Sequence, residues 1–335
     1  MSEENLPRVT FVIPTLNAAA MLPACLRSIR NQDYPAEKIE IIIADGGSID
    51  STREIAKSFG AQIVDNPDRV AESGKRIALK SAHGGYVIFT DSDNEISSND
   101  FVRLAVDALE KNPQALGLES YYPAAPGMYS FCAYLTETLH ISDPVTWMMC
   151  VNPILIEKRG EVERWTFPKN SLAFPLGANG FVFRKSDLDF INATEYFEDT
   201  HMALQLALAG KREWLRLTGR GVHHYVVRGV MDFLRKRRRQ MYHFLSLKNK
   251  NELSWTRMNP QMPAWLACFL CATFIVPAGQ TIYYLFKTGY MRWLWHPFAS
   301  FVSVLGVVWG FLTFVFSKRT ADAEANLQPV QKISK

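Results

Sequence analysis

Two aspartates separated by one residue, Asp91 and Asp93, directly follow an apolar run typical of a buried strand. Two carboxylates so close repel each other unless a cation lies near them, and carboxylate oxygens are ligands that Mg²⁺ and Mn²⁺ prefer. A divalent ion held there could carry a diphosphate group. A solvated acidic turn has the same composition, but the position after a buried strand favours the metal. We therefore predict a Mg²⁺ or Mn²⁺ site at Asp91 and Asp93.

A second motif, Asp45-Gly46-Gly47-Ser48, follows another apolar run. The glycines allow the backbone to approach a ligand closely, and the N-terminus of a following helix attracts an anion. Asp45 could accept a hydrogen bond from an N–H group of a base. An ordinary strand-to-helix turn has the same residues, so this motif alone leaves both interpretations open.

A third candidate group lies further along the chain. Glu198 and Asp199 precede a helical pattern, and either carboxylate could act as a general base. Negative charge at a helix N-terminus is also stabilised by the helix dipole, which is the structural alternative. His223 and His224 follow, and His223 is a candidate metal ligand or a structural residue.

Alternating strands and helices must position these groups. Apolar runs at 9–14, 39–44 and 86–90 predict strands, and amphipathic patterns between and after them predict helices. Apolar strands separated by helices indicate a mostly parallel sheet with helices on both faces. Ligands bind at the carboxyl ends of such strands, where the Asp45 and Asp91 motifs lie.

Composition narrows the class of protein. Apolar residues make up 48% and charged residues 21% of the 335, which excludes a disordered chain. Five cysteines in so long a chain predict no disulfide framework and favour a reducing compartment. Residues 228–257 include nine Lys and Arg but only two acidic residues, although the net charge of the whole chain is only +4. This basic stretch precedes the most apolar part of the chain, so a membrane surface is favoured over nucleic acid.

The C-terminal third predicts membrane association. Two segments, about 263–286 and 294–316, contain no charged residue, and each is longer than the ~20 residues needed to cross a bilayer. Basic flanks and the lack of an N-terminal signal sequence predict a transmembrane hairpin, multi-pass in the inner membrane, with the catalytic part in the cytoplasm. Buried core helices, or helices lying in the membrane interface, are the alternatives.

The basic segment 228–258 also has an amphipathic pattern. It suits a helix on an anionic leaflet, and its Arg235 and Arg239 are candidates for binding an acceptor phosphate. A solvated basic face beside a membrane span would have the same composition.

As a set, these motifs resemble glycosyltransferase family 2. The resemblance rests on Pro14-Thr15-Leu16-Asn17, the Asp45 turn, Asp91-Ser92-Asp93 and Glu198-Asp199, in that order, and it covers about residues 8–240. It implies a GT-A fold, in which a Rossmann-like nucleotide-sugar half is joined to an acceptor half.

The resemblance also implies roles for single residues. Pro14, Asn17, Asp45 and Gly46 would bind the nucleotide, with Asp45 on the base, usually uracil. Asp91 would face the ribose or sugar and share the metal with Asp93. Asp199, with Glu198 beside it, would be the catalytic base. Gly177 and Asn179 would lie on the acceptor side.

Two departures from the family pattern matter. An Arg-Asn-x-Gly before the metal motif is replaced by Gly74-Lys75-Arg76, where Lys75 could pair with a phosphate. The Gln-x-x-Arg-Trp of processive synthases is missing, which argues against a polymer synthase.

The sequence thus predicts a metal-dependent, inverting glycosyltransferase. Its donor would be a nucleotide-sugar, with UDP favoured, and its acceptor a membrane-associated molecule such as a polyprenyl-linked sugar. A polyprenyl-phosphate glycosyltransferase and a catalytically silent membrane-anchored scaffold are the alternatives. The predicted divisions are a catalytic domain at 1–227, the basic segment at 228–258, the hairpin at 259–318 and a polar cytoplasmic tail at 319–335.

Overall fold

The computed structural model describes residues 5–140, 143–177, 179–188, 199–225, 227–248 and 259–327. Contacts divide the chain into two units, which are described separately. The first unit comprises Met1–Ser142, Met149–Val226 and Ser254–Gln261. The second comprises Asp143–Met148, Val227–Leu253 and Met262–Lys335.

Ten strands among the described residues of the first unit form one sheet. They are β1 Val9–Thr15, β2 Ile39–Asp45, β3 Gln62–Asp65, β4 Tyr86–Phe89, β5 Glu95–Ile96, β6 Leu118–Tyr121, β7 Ile154–Arg159, β8 Val162–Thr166, β9 Phe181–Arg184 and β10 Glu213–His223.

The α-helices follow the same chain order. They are α1 Leu22–Arg30, α2 Thr52–Ser58, α3 Ala71–Lys80, α4 Phe101–Lys111, α5 Ser130–Ala133, α6 Pro144–Met149, α7 Lys185–Leu188, α8 Asp199–Leu208, α9 Val230–Lys248, α10 Ala264–Ala272, α11 Ile275–Thr288 and α12 His296–Leu327.

The sheet is mixed, which corrects the prediction of a mostly parallel one. Its order is β3-β2-β1-β4-β9-β6-β10-β8-β7, with β5 paired to β10. The strands β1 to β4 are parallel, and so are β6 and β10. By contrast, β9 runs antiparallel between β4 and β6, and the β7–β8 hairpin extends the edge. Parallel neighbours need a crossover helix, and the hairpin has none.

Both faces of the parallel part are covered, as the apolar strands predict. Along β1, Phe11 and Ile13 face a core that includes α1 and α4. Val12 faces the opposite core, which includes α3 and α8. Alternate side chains of a strand point to opposite faces, so a strand that is apolar throughout must be buried on both sides. The predicted strands and helices of this region all form, within a few residues of their expected ends.

In the second unit, residues 230–248 of the basic segment form a helix, α9, which packs along α12, and residues 249–258 lie outside the described residues. Two glycines of α12 allow the close approach. A Cβ atom at Gly306 would lie 2.9 Å from the backbone oxygen of Leu234, and one at Gly310 would lie 2.8 Å from Cβ of Met241. The glycines are four residues apart, on one face of α12.

The predicted pair of transmembrane helices is not confirmed. Among the described residues, one helical stretch, Met291–Ser317, is long and apolar enough to cross a membrane. The first predicted span consists of two helices, α10 and α11, which are long and apolar enough only when taken together and which meet at an angle of 80°. The break falls at Phe274, whose φ of 57° is left-handed and cannot continue a helix.

Candidate functional site

The loops after β1, β2 and β4 meet at one edge of the first unit. Parallel register pairs Thr15 with Asp45 at the ends of β1 and β2, and Val12 with Phe89 of β4. The carboxyl ends of neighbouring parallel strands therefore bring the Asp45 and Asp91 motifs to the same side of the sheet.

Asp45 is buried and fully engaged with its own turn. Its Oδ1 accepts hydrogen bonds from the hydroxyl groups of Thr15 and Ser48, at 3.1 and 2.5 Å. Its Oδ2 accepts from the N–H groups of Gly47 and Ser48 and from the Arg53 guanidinium, at 3.2, 3.0 and 3.1 Å. Burial alone would raise the pKa of Asp45, but these hydrogen bonds outweigh it and the pKa is lowered. The Asp45 side chain is fully buried beneath these partners, so a base would have to displace one of them to bind it.

Asn17 ties the first loop to the second. Its φ of 52° is left-handed, a conformation that Asn adopts more readily than most residues. Its N–H group donates to Oγ of Ser48 and its side-chain oxygen accepts from the N–H group of Ile49, both at 2.9 Å. These bonds hold the two loops together as one rigid rim.

Pro14 and Gly46 lie beneath that rim. Pro14 is buried opposite Ala44 in the β1–β2 register, and the N–H group of Gly46 donates to the backbone oxygen of Thr15 at 2.8 Å. A Cβ atom at Gly74 of α3 would lie 3.3 Å from Cβ of Pro14, so α3 approaches the end of β1 closely.

Lys75, on α3, carries a buried cation into the site. It is 6% exposed, and its Nζ atom lies 3.2 Å from Oδ1 of Asp91. Burial alone would raise the pKa of Asp91. Lys75 and His224, together with hydrogen bonds from Lys75 and Asn179, outweigh burial and lower the pKa. Asp91 is therefore an anion held between cationic and amide groups.

His224 belongs to the same group of side chains. Its Nδ1 lies 2.9 Å from the side-chain oxygen of Asn94 and 3.3 Å from the side-chain nitrogen of Asn179. Its ring packs on Tyr122 at a centroid distance of 5.6 Å. His224 thus brings the end of β10 to the loop that follows β4.

His223 points elsewhere. Its Nδ1 lies 2.9 Å from the backbone oxygen of Pro123. Consecutive residues of an extended chain face opposite sides, so two adjacent histidines cannot both face Asp91. The structure places His224 beside Asp91 and Nδ1 of His223 on a backbone oxygen, and the metal role of His223 stays a prediction.

Two buried amide atoms in this group lack a protein partner. The side-chain nitrogen of Asn94 and the side-chain oxygen of Asn179 make no hydrogen bond with any described residue. Buried polar atoms are almost always paired, so a polar ligand at this position would satisfy both.

The residues fit a divalent metal that shares its ligands with a substrate. Asp91, Asp93 and Glu95 concentrate negative charge between the end of β4 and the start of β5. The pKa of the nearby Cys25 thiol is raised, mainly by burial and further by these three carboxylates. Within the described ranges, no three His, Cys, Asp or Glu side chains are grouped to hold a metal by themselves. Mg²⁺ commonly takes one or two carboxylates and completes its shell with water and phosphate oxygens.

The structure describes the other predicted site residues in less detail. Asp199 is the first residue of α8, and its side chain is not described. Glu198 lies outside the described residues. Gly177 has a left-handed φ of 95°, two residues before Asn179. Arg235 and Arg239 lie on exposed positions of α9 in the second unit.

Sequence reasoning missed Arg53, Asn94 and Tyr122. Asn94 directly follows the Asp91-Ser92-Asp93 motif, so its position was a usable signal. Arg53 and Tyr122 reach the site through helix and strand geometry that no local pattern marks. Arg53, for example, joins Asp45 to Asp65 of the neighbouring strand, at 3.1 and 2.9 Å.

Two family models match the chain. The model described as Glycosyl transferase family 2 matches residues 10–124, which hold the three loops of the site. The model described as Glycosyl transferase family group 2 matches residues 86–317, well over half of the chain. The chain belongs to glycosyltransferase family 2.

Curated relatives of this family 2 chain include bacterial glycosyltransferases. Glycosyltransferase GlyG of Streptococcus pneumoniae is 27% identical over 213 residues, which are 61% of this chain and 66% of that protein. An uncharacterized glycosyltransferase of Haemophilus influenzae is 32% identical over 138 residues, which are 38% of this chain and 49% of that protein. The chain thus spans less than two thirds of the length of these relatives.

A solved structure shares the fold of the family 2 chain. The mannosyltransferase PcManGT from Pyrobaculum calidifontis, in complex with GDP-Man and Mn²⁺, superimposes with a TM-score of 0.55 at 17% identity. The match covers 92% of this chain and 88% of that one.

Proposed function

We propose that this chain is an inverting glycosyltransferase that moves a sugar from a nucleotide-sugar to a membrane-associated acceptor. One observation carries the proposal. Lys75, Asp91 and His224 converge with two unsatisfied amides at the carboxyl edge of the sheet, beside the Asp45 turn. A diphosphate linked to a sugar is a ligand that needs this mixture of cation, metal-binding carboxylate and amide groups.

The Asp45 turn serves the nucleoside in this proposal. Asn17 and Ser48 form a rim whose hydrogen bonds are already made, so binding costs little ordering. Asp45 holds the rim and offers its anionic oxygens to base N–H groups, for which uracil is the expected partner. Pro14 supports the rim from below.

Lys75 and Asp91 serve the diphosphate and the sugar. Lys75 is fixed by burial, so its charge is available to a phosphate without a search through rotamers. Asp91 accepts from the ribose or the transferred sugar. Asn94 and Asn179 provide the amide atoms that a polar ligand would satisfy.

Asp91 and Asp93 would hold a divalent metal. When bound, Mg²⁺ or Mn²⁺ would supply positive charge to the donor diphosphate as the glycosidic bond breaks. His224 is better placed than His223 to face it. The fold neighbour PcManGT was solved with GDP-Man and Mn²⁺, which supports a metal-dependent donor site.

Asp199 is the proposed base. A sugar hydroxyl is a weak nucleophile and needs a base within hydrogen-bond reach, and Glu198 beside it would keep the local charge negative. A polyprenyl-linked sugar is the proposed acceptor, because the basic α9 and the apolar helices of the second unit favour a lipid-borne substrate. Gly177 is proposed to lie on the acceptor side of the first unit. Independently, Arg235 and Arg239 of the second unit are proposed to bind an acceptor phosphate.

The first experiment is nucleotide binding measured by calorimetry on the detergent-solubilised full chain. We expect UDP to bind more tightly with Mn²⁺ than without it, and GDP and ADP to bind less tightly. Asp93→Asn should remove the metal-dependent part. Asp107→Asn, at a surface pair with Lys111, is the matched control and should leave binding unchanged. Failure of the folded chain to bind all three nucleotides would overturn the proposal.

A further inference from the structure

The second unit exposes an unusual amount of apolar surface. Each of its three C-terminal α-helices presents large apolar side chains to the exterior, and they recur at helical spacing. They are Trp265 and Phe269 on α10, Ile275, Ile282, Tyr283 and Phe286 on α11, and Phe298, Leu305, Val308, Trp309, Phe311, Leu312 and Phe316 on α12. A contiguous apolar surface of this kind marks an interaction site.

The centre of a membrane-crossing α12 would lie in hydrocarbon, and α9 packs against that centre. The apolar stretch Met291–Ser317 has its middle near Val304, and the α9 contacts at Gly306 and Gly310 lie within roughly 10 Å of it. These glycines meet α9 at Leu234, Arg237, Arg238 and Met241.

The part of α9 that packs there is its most strongly charged part. Five consecutive cations, residues 235–239, pass the middle of α12. Arg237 faces inward, whereas Arg235 and Arg239 lie on exposed positions two residues away on either side. Charged side chains at the centre of a bilayer are costly unless they face the interior of a bundle, and these two do not.

A buried ion pair fixes which face of α12 turns inward. The Arg237 guanidinium lies 3.1 Å from Oδ2 of Asp143, and the hydroxyl group of Ser303 on α12 donates to the other carboxylate oxygen. Both charged side chains are about nine-tenths buried. At 100° per residue, Ser303, Gly306 and Gly310 form one face of α12.

The exposed apolar residues lie on the other face. Phe298, Leu305, Leu312 and Phe316 fall on the side of α12 turned away from α9 at the same spacing. One face of α12 is therefore available to lipid, and the opposite face is closed by a charged helix. A helix lying in the membrane interface has this division, and the charges that α9 brings to the middle of α12 favour that position over a crossing one.

Cations border the exposed aromatic rings. The Arg238 guanidinium lies 4.8 Å from the ring centroid of Trp309, and Nζ of Lys287 lies 5.5 Å from that of Tyr283. Aromatic rings beside Lys or Arg are typical of residues at the level of the lipid headgroups. There the aliphatic part of the basic side chain is buried and its charged end contacts lipid phosphates.

We propose that the second unit is an in-plane membrane anchor that inserts the exposed apolar faces of α10, α11 and α12 into one leaflet of an anionic bilayer. The 80° bend between α10 and α11 keeps both helices near that surface. The charges of α9 attract the anionic lipid, and α12 does not cross. This replaces the hairpin topology, and it holds whatever sugar or acceptor the first unit uses.

The test is the sidedness of single cysteines in the full chain, labelled with a membrane-impermeant maleimide in sealed vesicles of both orientations. Every variant also carries Cys268→Ser, which removes the native cysteine that is partly exposed. The other four native cysteines are buried. Thr288→Cys and Ser317→Cys probe the two ends of the apolar stretch, and Lys57→Cys marks the side of the first unit.

We expect both probes to react only in the vesicle orientation in which Lys57→Cys reacts. Protection of Thr288→Cys in both orientations, with labelling after detergent, also supports the anchor, because a crossing helix would place this residue in water. Labelling of either probe from the side opposite Lys57→Cys would overturn it.

A second measurement tests the lipid. In flotation with vesicles, the chain should bind a membrane containing phosphatidylglycerol more tightly than one of phosphatidylcholine alone. Arg235→Gln with Arg239→Gln should lower that binding by roughly 10- to 30-fold. Lys57→Gln with Lys80→Gln, two exposed cations of the first unit, is the control. Equal binding to both membranes would exclude an anionic partner.

Discussion

The ammonium group of Lys75 lies 3.2 Å from Oδ1 of Asp91, and this contact joins α3 to the loop that follows β4. It places a buried cation beside the predicted metal-binding motif. The same carboxylate interacts with His224 and Asn179 from the far half of the sheet. One residue of the Asp91-Ser92-Asp93 motif thus connects both halves of the first unit.

Lys75→Met should weaken nucleotide binding by about 10- to 100-fold, because a hydrogen bond to a charged group contributes about 1.5–3 kcal/mol. Calorimetry with UDP and Mn²⁺ measures the change. Lys80→Met, at an exposed position of the same helix, should have no effect. Equal affinities of the Lys75 variant and the unaltered chain would remove Lys75 from the donor site.

The two adjacent histidines offer a matched pair of variants. His224→Gln should reduce the enhancement of UDP binding by Mn²⁺, because His224 interacts with Asp91 and contacts the side chains of Asn94 and Asn179. His223→Gln should leave that enhancement within about twofold, since His223 contacts the backbone of Pro123. The measurement is the ratio of Kd values with and without Mn²⁺. A larger loss for His223→Gln would reverse the assignment.

Asp199→Asn distinguishes the two acceptor classes. General-base catalysis contributes about 10²- to 10⁴-fold, so transfer to a sugar hydroxyl should fall by that factor. A phosphate acceptor is largely ionised at neutral pH, with a second pKa of ~6, and needs no base. Transfer to a polyprenyl phosphate should therefore fall only slightly. Assaying the variant with both acceptors gives the answer, and near-normal transfer to the hydroxyl would show that Asp199 is not the base.

Asp143→Asn should destabilise the second unit by about 3–5 kcal/mol, because it leaves the buried Arg237 without its counter-charge. Burial would raise the pKa of Asp143, but Arg237 and the hydrogen bonds from Ser303 and Thr146 lower it below the ordinary value of 3.8. A carboxyl group whose pKa is lowered in the folded state stabilises the fold at pH values above its ordinary pKa. This stabilisation is lost as the pH falls through the pKa of the folded state.

Thermal unfolding in detergent between pH 7 and pH 3 tests this. The difference in Tm between the unaltered chain and Asp143→Asn should be constant at neutral pH and shrink below about pH 4. Arg8→Gln, at a position outside the second unit, serves as a control with one cation fewer. A difference that grows with acid would contradict the ion pair.

The local patterns of the sequence were sufficient for the first half of the fold. Strands that are apolar at every position, such as β1, can be buried only between two layers of helices, so the sequence by itself determined a sandwiched parallel sheet. Turn residues at strand ends likewise placed Asp45, Asp91 and Asp93 at one edge, because the carboxyl ends of parallel strands lie together.

The tertiary structure alone decided three other features. Antiparallel β9 and the β7–β8 hairpin depend on pairing between distant strands, which no local period encodes. The different contacts of His223 and His224 depend on the register of β10, because one step along a strand reverses the face. The burial of Arg237 against Asp143 requires α9 and α12 to meet, and a sequence shows only that one helix is basic and the other apolar. Hydropathy measures how apolar a helix is, whereas the neighbour that covers it decides whether lipid can reach it.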